Sequence, residues 1–353
     1  MLEDLLVTWG EPLVLGLAGA LTGLVFGWAA QRSRFCLRAA TVEVAEGHVG
    51  SKLAIWLIVF TTALMLTQAA ISTNLLDVRD ARQLAATGSM SGAVIGGLMF
   101  GVGMVLARGC ASRLLVLSAT GNLRALVTGL VVTLVAQASF TGVLAPAREQ
   151  ISQLWLVGGS ARDLGPVLGL DHWQVAAIAA VALIGALFLA RSREVTIGKS
   201  IAAIFVGAAV TMGWVATYAI ASNSFEIVPI LSVTFTGPAT DTLMALVSER
   251  SIILSFGIGL VPGVFVGSGA SALLAREWKL ERFGPDTPME RYLAGAILMG
   301  FGAMLAGGCA VGAGVSGGAI MSLTSWTAVF CMWLGAIVTT RMLARVTSVS
   351  ATA

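Results

Sequence analysis

GGLMFGVGMVLARGCAS, residues 96–112, and GAILMGFGAMLAGGCAV, residues 295–311, align without a gap at an offset of 199. Both read GxGxxLAxGCA. Eight of the seventeen positions are identical, with Gly96, Gly101, Gly103, Leu106, Ala107, Gly109, Cys110 and Ala111 facing Gly295, Gly300, Gly302, Leu305, Ala306, Gly308, Cys309 and Ala310. Shared hydrophobicity does not put a Gly-Cys pair at one point twice, so the segments mark an internal duplication. The same offset carries the second long apolar run onto the seventh, and GWAAQ from Gly27 is weakly similar to GWVAT from Gly213.

Outward from these segments the chain is almost free of charge. It has 353 residues, 57% hydrophobic and 11% charged, with a mean hydropathy of +0.91. A soluble domain carries about 25% charged residues, so this composition excludes one. Seven uncharged runs of 19 to 26 residues follow one another, and an eighth of 49 separates Arg291 from Arg341. A helix needs about 20 apolar residues to cross the hydrocarbon core. Seven runs give one crossing each and the last gives two, which predicts nine spans in a lipid bilayer. The runs lack the two-residue alternation of barrel strands, so the expected fold is an all-α integral membrane protein. The N-terminus, Met1-Leu-Glu-Asp, is acidic where a secretory signal would be basic, and the first span is expected to be retained.

Lys and Arg set the orientation. With the N-terminus outside, 16 of the 21 basic residues lie on the cytoplasmic side, and only Arg79, Arg82, Arg148, Arg162 and Arg250 lie outside. The expectation is therefore an inner (plasma) membrane protein with its N-terminus out and C-terminus in. The net charge of +3 is accounted for by these loops, so no nucleic-acid partner is implied. Four spans separate the third from the eighth, so the duplicated segments run in opposite directions. Within one transmembrane domain, 1–353, residues 12–145 form a first repeat, 146–198 a connector with the fifth span, and 199–345 an inverted second repeat. Such inverted repeats are a transporter architecture with interrupted helices near the midplane.

Each Gly-Cys pair ends a Gly-rich helix and precedes a stretch too short to cross, Ala111 to Asn122 and Ala310 to Leu323. These are expected to be short re-entrant helices, buried in protein or lining a cavity. A half-helix starting just after each cysteine aims its positive end at the site, which suits an anion. Cys110 and Cys309, with Gly109 and Gly308 before them, are the leading candidates for a substrate pathway. Cys36, in RSRFCLRAA, is a third; it lacks a counterpart, since the matching region near Ser222, Asn223 and Ser224 has no cysteine. A thiol is a weak donor and a weak acceptor, fit to hold a large soft anion and let it go. Beside arginine or a helix N-terminus its thiolate also attacks sulfane sulfur. Arg34, Arg108 and Arg113 are placed to draw an anion toward an inner vestibule, although loop arginines commonly serve topology alone. Cys331 has no repeat partner and reads as packing. There is no CxxC, and only His48 and His172, so neither a metal nor another cofactor is expected.

On the two GCA segments and RSRFCLRAA the chain resembles the YeeE/YedE family of sulfur-compound membrane transporters, over nearly its whole length. That resemblance implies a permease for thiosulfate or a related small sulfur anion, with Cys36, Cys110 and Cys309 at the pathway positions. The residue after the first Gly-Cys is often proline in such proteins and is Ala111 here. Rival expectations are a membrane thiol enzyme that takes sulfane sulfur as a cysteine persulfide, a selenium-compound transporter, and a broad anion channel whose cysteines only pack. A cytoplasmic sulfur-carrier protein is a further expected partner.

Overall fold

The computed structural model describes residues 2–224, 226–248, 250, 252–282 and 289–350. Sixteen α-helices are described: α1 Leu2–Trp9, α2 Glu11–Ser33, α3 Leu37–Ala45, α4 Ser51–Ser72, α5 Arg82–Ala85, α6 Met90–Leu106, α7 Ala111–Ala119 and α8 Leu123–Phe140. They continue with α9 Ala145–Ser152, α10 Leu164–Leu168, α11 His172–Ser192, α12 Ile197–Asn223, α13 Thr236–Ser248, α14 Phe256–Leu274, α15 Met289–Leu305 and α16 Leu323–Ser350. A π-helix, Ala310–Gly317, lies between α15 and α16. Two-residue strands, β1 Gly88–Ser89 and β2 Leu156–Val157, pair antiparallel and tie the loop before α6 to the loop after α9.

The long helices form where the sequence offers apolar residues on every side, because a backbone in lipid must satisfy its polar groups internally. Their starts are set by side chains that accept from the first turn: Ser89 from Gly92, Asn122 from Ala125, Ser255 from Ile258, and Asp171 with Gln174 as a capping box. Among the described residues nine helical segments are long and apolar enough to cross a membrane. They are Glu11–Ala45, Ser51–Ser72, Met90–Ala119, Leu123–Phe140, His172–Ser192, Ile197–Asn223, Phe256–Leu274, Met289–Gly317 and Leu323–Arg345. The chain is an all-α, multi-pass membrane protein.

Helix packing divides into two bundles. In one, α2 runs along α14 and packs on α12, while α4 packs on α11 and α12. In the other, α6 packs on α15 and α16, and α15 on α8. Without an apolar driving force in lipid, close backbone approach is what holds such helices together. The α2–α14 contact is the tightest: a Cβ on Gly19 would stand 2.0 Å from the Phe256 carbonyl oxygen, and one on Gly259 1.9 Å from that of Gly16. The short helices fill the junction between the bundles, α3 between α4 and α16, α13 between α14 and α8, and α7 between α8 and α14; the π-helix lies between α16 and α4. Exchanging α2 with α12, α3 with α13, α4 with α14, α6 with α15, α7 with the π-helix and α8 with α16 turns each of these arrangements into another of them, apart from the packing of α4 on α11.

Candidate functional site

The same local device is built three times at the bundle junction. A helix ends at a left-handed residue, one residue follows, and a cysteine then caps the next helix. Arg34 (φ 55°), Arg108 (φ 55°) and Gly307 (φ 78°) are the left-handed residues. The N–H of the residue after each bonds back to a carbonyl five positions earlier, Phe35 to Ala30 at 3.3 Å, Gly109 to Met104 at 3.1 Å and Gly308 to Ala303 at 2.9 Å. Cys36, Cys110 and Cys309 then sit at the N-caps of α3, α7 and the π-helix with extended backbones. Cys309 Sγ accepts from the Gly312 N–H at 3.5 Å. The N–H three residues on also faces the sulfur of Cys36 (from Ala39) and of Cys110 (from Arg113).

Depth follows from the hairpins. Leu114 of α7 abuts Gly129 of α8, which sets the α7 N-terminus level with the middle of α8. Gly314 meets Val329 and Gly317 meets Ser325, so Cys309 lies level with the middle of α16. The thiols are buried, Cys36 at 9% exposure, Cys110 at 1% and Cys309 at 0%, and all are free.

Cys36 and Cys110, 74 residues apart in sequence, face each other as side-chain neighbours. Cys110 Sγ also lies 3.3 Å from Ser112 Oγ. The charge shared by the pair is Arg113, with Arg38 beside Cys36 alone, and Arg113 Nη1 donates to Gln31 Oε1 at 3.5 Å. Gln31 donates in turn to Glu277 Oε2 at 3.2 Å, and Arg34 Nη2 pairs with Glu277 Oε1 at 3.3 Å. Gln31, Arg34 and Glu277 line a cavity of about 570 Å³, with Arg32 and Lys199. Cys36, Cys110, Arg113 and Arg34 are thus brought together. Arg108 is exposed at the end of α6 and faces Arg38 instead.

Cys309 has different company. Every residue from Cys309 to Ile320 is buried, and none of them is charged. A Cβ on Gly312 would stand 2.1 Å from Thr234 Oγ1, and Ser316 Oγ donates to the Val233 carbonyl at 2.6 Å, so the π-helix is seated on the chain leading into α13. Gln68 Nε2 holds its far end through the Ala319 carbonyl at 2.8 Å. A second cavity of about 390 Å³ reaches Gly307 and Gly308 and is lined also by Arg82, Thr234, Thr236 and Thr240. Arg82 donates to the Gly307 carbonyl at 3.3 Å, and Arg162 is fixed to the Arg82 carbonyl and to Thr324 Oγ1, both at 3.3 Å. Burial, and then the like charge of Arg82, lowers the pKa of Arg162 from the ordinary arginine value.

Sequence reasoning missed Gln31, Arg82, Thr234 and Thr236. The region near Ser222, Asn223 and Ser224, taken as the counterpart of Cys36, is the plain end of α12. The short helix that follows α12 starts only at Thr236, after Phe235, whose ring lies 5.1 Å from that of Phe26. An offset of 200 takes Phe35-Cys36 to Phe235-Thr236, a signal present in the sequence but too short to find alone. Cys331 packs its Cβ 2.8 Å from where a Cβ on Gly97 would stand, between α6 and α16.

With this geometry in view, two relatives are informative. A thiosulfate transporter, TsuA, of Spirochaeta thermophila is 29% identical over 335 residues, covering 90% of this chain and 96% of that protein. TsuA of Escherichia coli, also a thiosulfate transporter, is 25% identical over 342 residues, covering 90% and 92%. Residues 32–338, which hold all three cysteine caps and both bundles' contacts with them, match the sequence model for sulphur transport, and the chain belongs to that family.

Proposed function

We propose that this chain is a permease that takes up thiosulfate across the inner (plasma) membrane, releasing it chemically unchanged. The path runs from the Arg82 cavity past Cys309 to the Cys36–Cys110 pair, and leaves by the Arg34 cavity. In this reading residues 12–145 and 199–345 are inverted repeats joined by 146–198, the N-terminus is outside, and the C-terminus is inside. A cytoplasmic sulfur-carrier protein is the acceptor. Sulfur-transport membership and relatives named thiosulfate transporters support the substrate. The observation that carries the path is the set of three buried thiols, each capping a helix at the junction of the two bundles.

Magnitudes favour holding the anion without trapping it. A helix N-terminus presents roughly half a unit of positive charge. At the Cys36–Cys110 pair, α3 and α7 together present about one unit, and the Arg113 guanidinium adds a full one. That balances a dianion at the cost of few hydrogen bonds, since thiols bond weakly. At Cys309 a single N-terminus acts, and the passage there is a transit point rather than a resting place. Gln31, Arg113, Glu277 and Arg34 form the polar chain by which the anion exchanges protein groups for water.

The test is uptake of labelled thiosulfate into proteoliposomes, with sulfate and selenite as competitors. Saturable uptake that tenfold sulfate leaves intact is expected; uptake equal to protein-free vesicles would overturn the reading. Thiol labelling of single-cysteine variants checks the orientation, with the Glu46 to Gly50 loop after α3 and Arg345 expected inside and the Gly158–Gly159 segment before Arg162 outside. Both termini on one side would overturn the nine-span inverted arrangement.

A further inference from the structure

The path leaves one group of charges unused. Arg38 follows Cys36 by two residues on α3, Arg108 lies in the turn two residues past α6, Arg124 lies in the first turn of α8, and Arg291 and Tyr292 lie in the first turn of α15. The charged and polar neighbours of Arg38, besides Cys36, are Arg108, Arg291 and Tyr292. The Arg124 guanidinium stacks 4.9 Å over the Tyr292 ring. Segments from four parts of the chain thus bring Arg108, Arg291 and Tyr292 near Arg38, with Arg124 stacked on the Tyr292 ring.

Among the described residues no carboxylate is paired with Arg38, Arg108, Arg124 or Arg291. The nearby acids are otherwise engaged: Glu43 accepts from the Lys52 and Leu53 N–H groups at the start of α4, and Glu281 accepts from Asn122. Glu290 is exposed. Tyr292 is 1% exposed, yet its hydroxyl has no hydrogen-bond partner, and neither do the buried Nε atoms of Arg38 and Arg291. Buried donors are ordinarily paired, and a buried unpaired donor calls for a missing acceptor. Three such donors beside four cations lack one thing in common, an anion with several acceptor oxygens.

We propose that Arg38, Arg108, Arg291 and Tyr292 form a second anion site, adjoining the thiol path at Cys36, that binds a tetrahedral oxyanion of the phosphate or sulfate class. The guanidinium N–H groups and the Tyr292 hydroxyl donate to its oxygens, and Arg124 fixes the Tyr292 ring. The anion is either dissolved or the phosphate of an anionic lipid headgroup, because Arg124 and Arg291 stand at the first turns of membrane-spanning segments. The proposal does not depend on which anion is transported.

The experiment titrates inorganic phosphate and sulfate against the full-length protein in phosphatidylcholine nanodiscs by calorimetry, and in parallel counts phosphatidylglycerol retained in native mass spectra. Arg291→Gln and Tyr292→Phe are compared with the parent, and Arg113→Gln serves as the control on the thiol path. One charged hydrogen bond is worth about tenfold in affinity or more. Saturable phosphate binding that weakens at least tenfold in Arg291→Gln, weakens several-fold in Tyr292→Phe and is unchanged in Arg113→Gln supports the site with a dissolved ligand. One phosphatidylglycerol retained by the parent and lost by Arg291→Gln, with no phosphate binding, supports it with a lipid ligand. Tyr292→Phe deletes only an unpartnered hydroxyl and leaves packing intact, so folding does not confound it. If neither phosphate, sulfate nor phosphatidylglycerol binding differs between the parent and these two variants, the site does not exist.

Discussion

Cys110 and Cys309 stand at matching positions of one sequence motif, each capping a short helix level with the middle of its neighbour, and their surroundings differ in charge. Around Cys110 are a second thiol, a serine hydroxyl and Arg113. Around Cys309 are Gly312, Thr234 and an uncharged, wholly buried π-helix. The helix breaks differ too. Arg108 holds the left-handed turn that Gly307 holds in the other copy, although a side chain there costs about 1–2 kcal/mol that glycine avoids. The backbone device is the same in both copies, and the side chains around it differ: the Cys110 copy carries a guanidinium beside its thiol and the Cys309 copy carries no charge on its short helix. On the permease reading proposed above, the anion is held at the first and passes the second.

The largest effect that tests this contrast is loss of the thiols. Cys110→Ala and Cys309→Ala should each reduce thiosulfate uptake into proteoliposomes to background, while Cys331→Ala transports normally. Calorimetry on the same proteins in detergent sharpens the comparison: Cys309→Ala should still bind thiosulfate and Cys110→Ala should not. Equal binding by both variants would make the stations equivalent.

Next comes the glycine before each cysteine. A Cβ on Gly308 would stand 2.8 Å from the Ala313 backbone nitrogen, which cannot yield without shifting the π-helix, whereas one on Gly109 meets only Leu114 Cδ2 at 3.3 Å. Gly308→Ala should therefore cut uptake tenfold or more, on the scale of about 1–3 kcal/mol for overpacking, and Gly109→Ala only about two- to threefold, as Leu114 gives way. The reverse order in an uptake assay would show that the π-helix is the softer element.

Arg113→Gln should raise the KM for thiosulfate roughly tenfold, the worth of one charged hydrogen bond, with a much smaller change in maximal rate. An unchanged KM would move the resting place away from the Cys36–Cys110 pair. The smallest expected difference is none at all. Thiosulfate labelled at the outer sulfur and at the inner sulfur should enter at equal rates, with no mass added to the protein. Retention of the outer label, as a persulfide with sulfite released, would favour thiol chemistry over carriage; Cys36 and Cys110 facing each other make that measurement worth doing.

The duplicated GxGxxLAxGCA segments and the spacing of charges made the span count and the helical class legible, because lipid imposes length and hydrophobicity on each crossing separately. Short helices after Cys110 and Cys309 were legible for the same local reason, a run too short to cross. The site was legible as residue types and not as a place. That Cys36 meets Cys110, that Arg113 joins them while Arg108 turns to Arg38, and that Arg82 reaches the Gly307 carbonyl all depend on how two bundles meet. The Thr236 position was hidden by a different cause: the chain between α12 and α13 is longer than that between α2 and α3, so extending the Gly27–Gly213 match without a gap lands on Ser222 instead.

What the sequence by itself determined is therefore the set of nine helical segments apolar enough to cross a membrane among the described residues, and the duplicated segments with the cysteines at their ends, all properties of local composition and order. Only the tertiary structure decided which thiols are neighbours, which arginine they share and which arginines stand near Arg38 and Tyr292. Those pairings reach across the chain, 74 positions from Cys36 to Cys110 and 254 from Arg38 to Tyr292. They are fixed by glycine-mediated contact between helix backbones, where a single Cβ decides whether two helices touch.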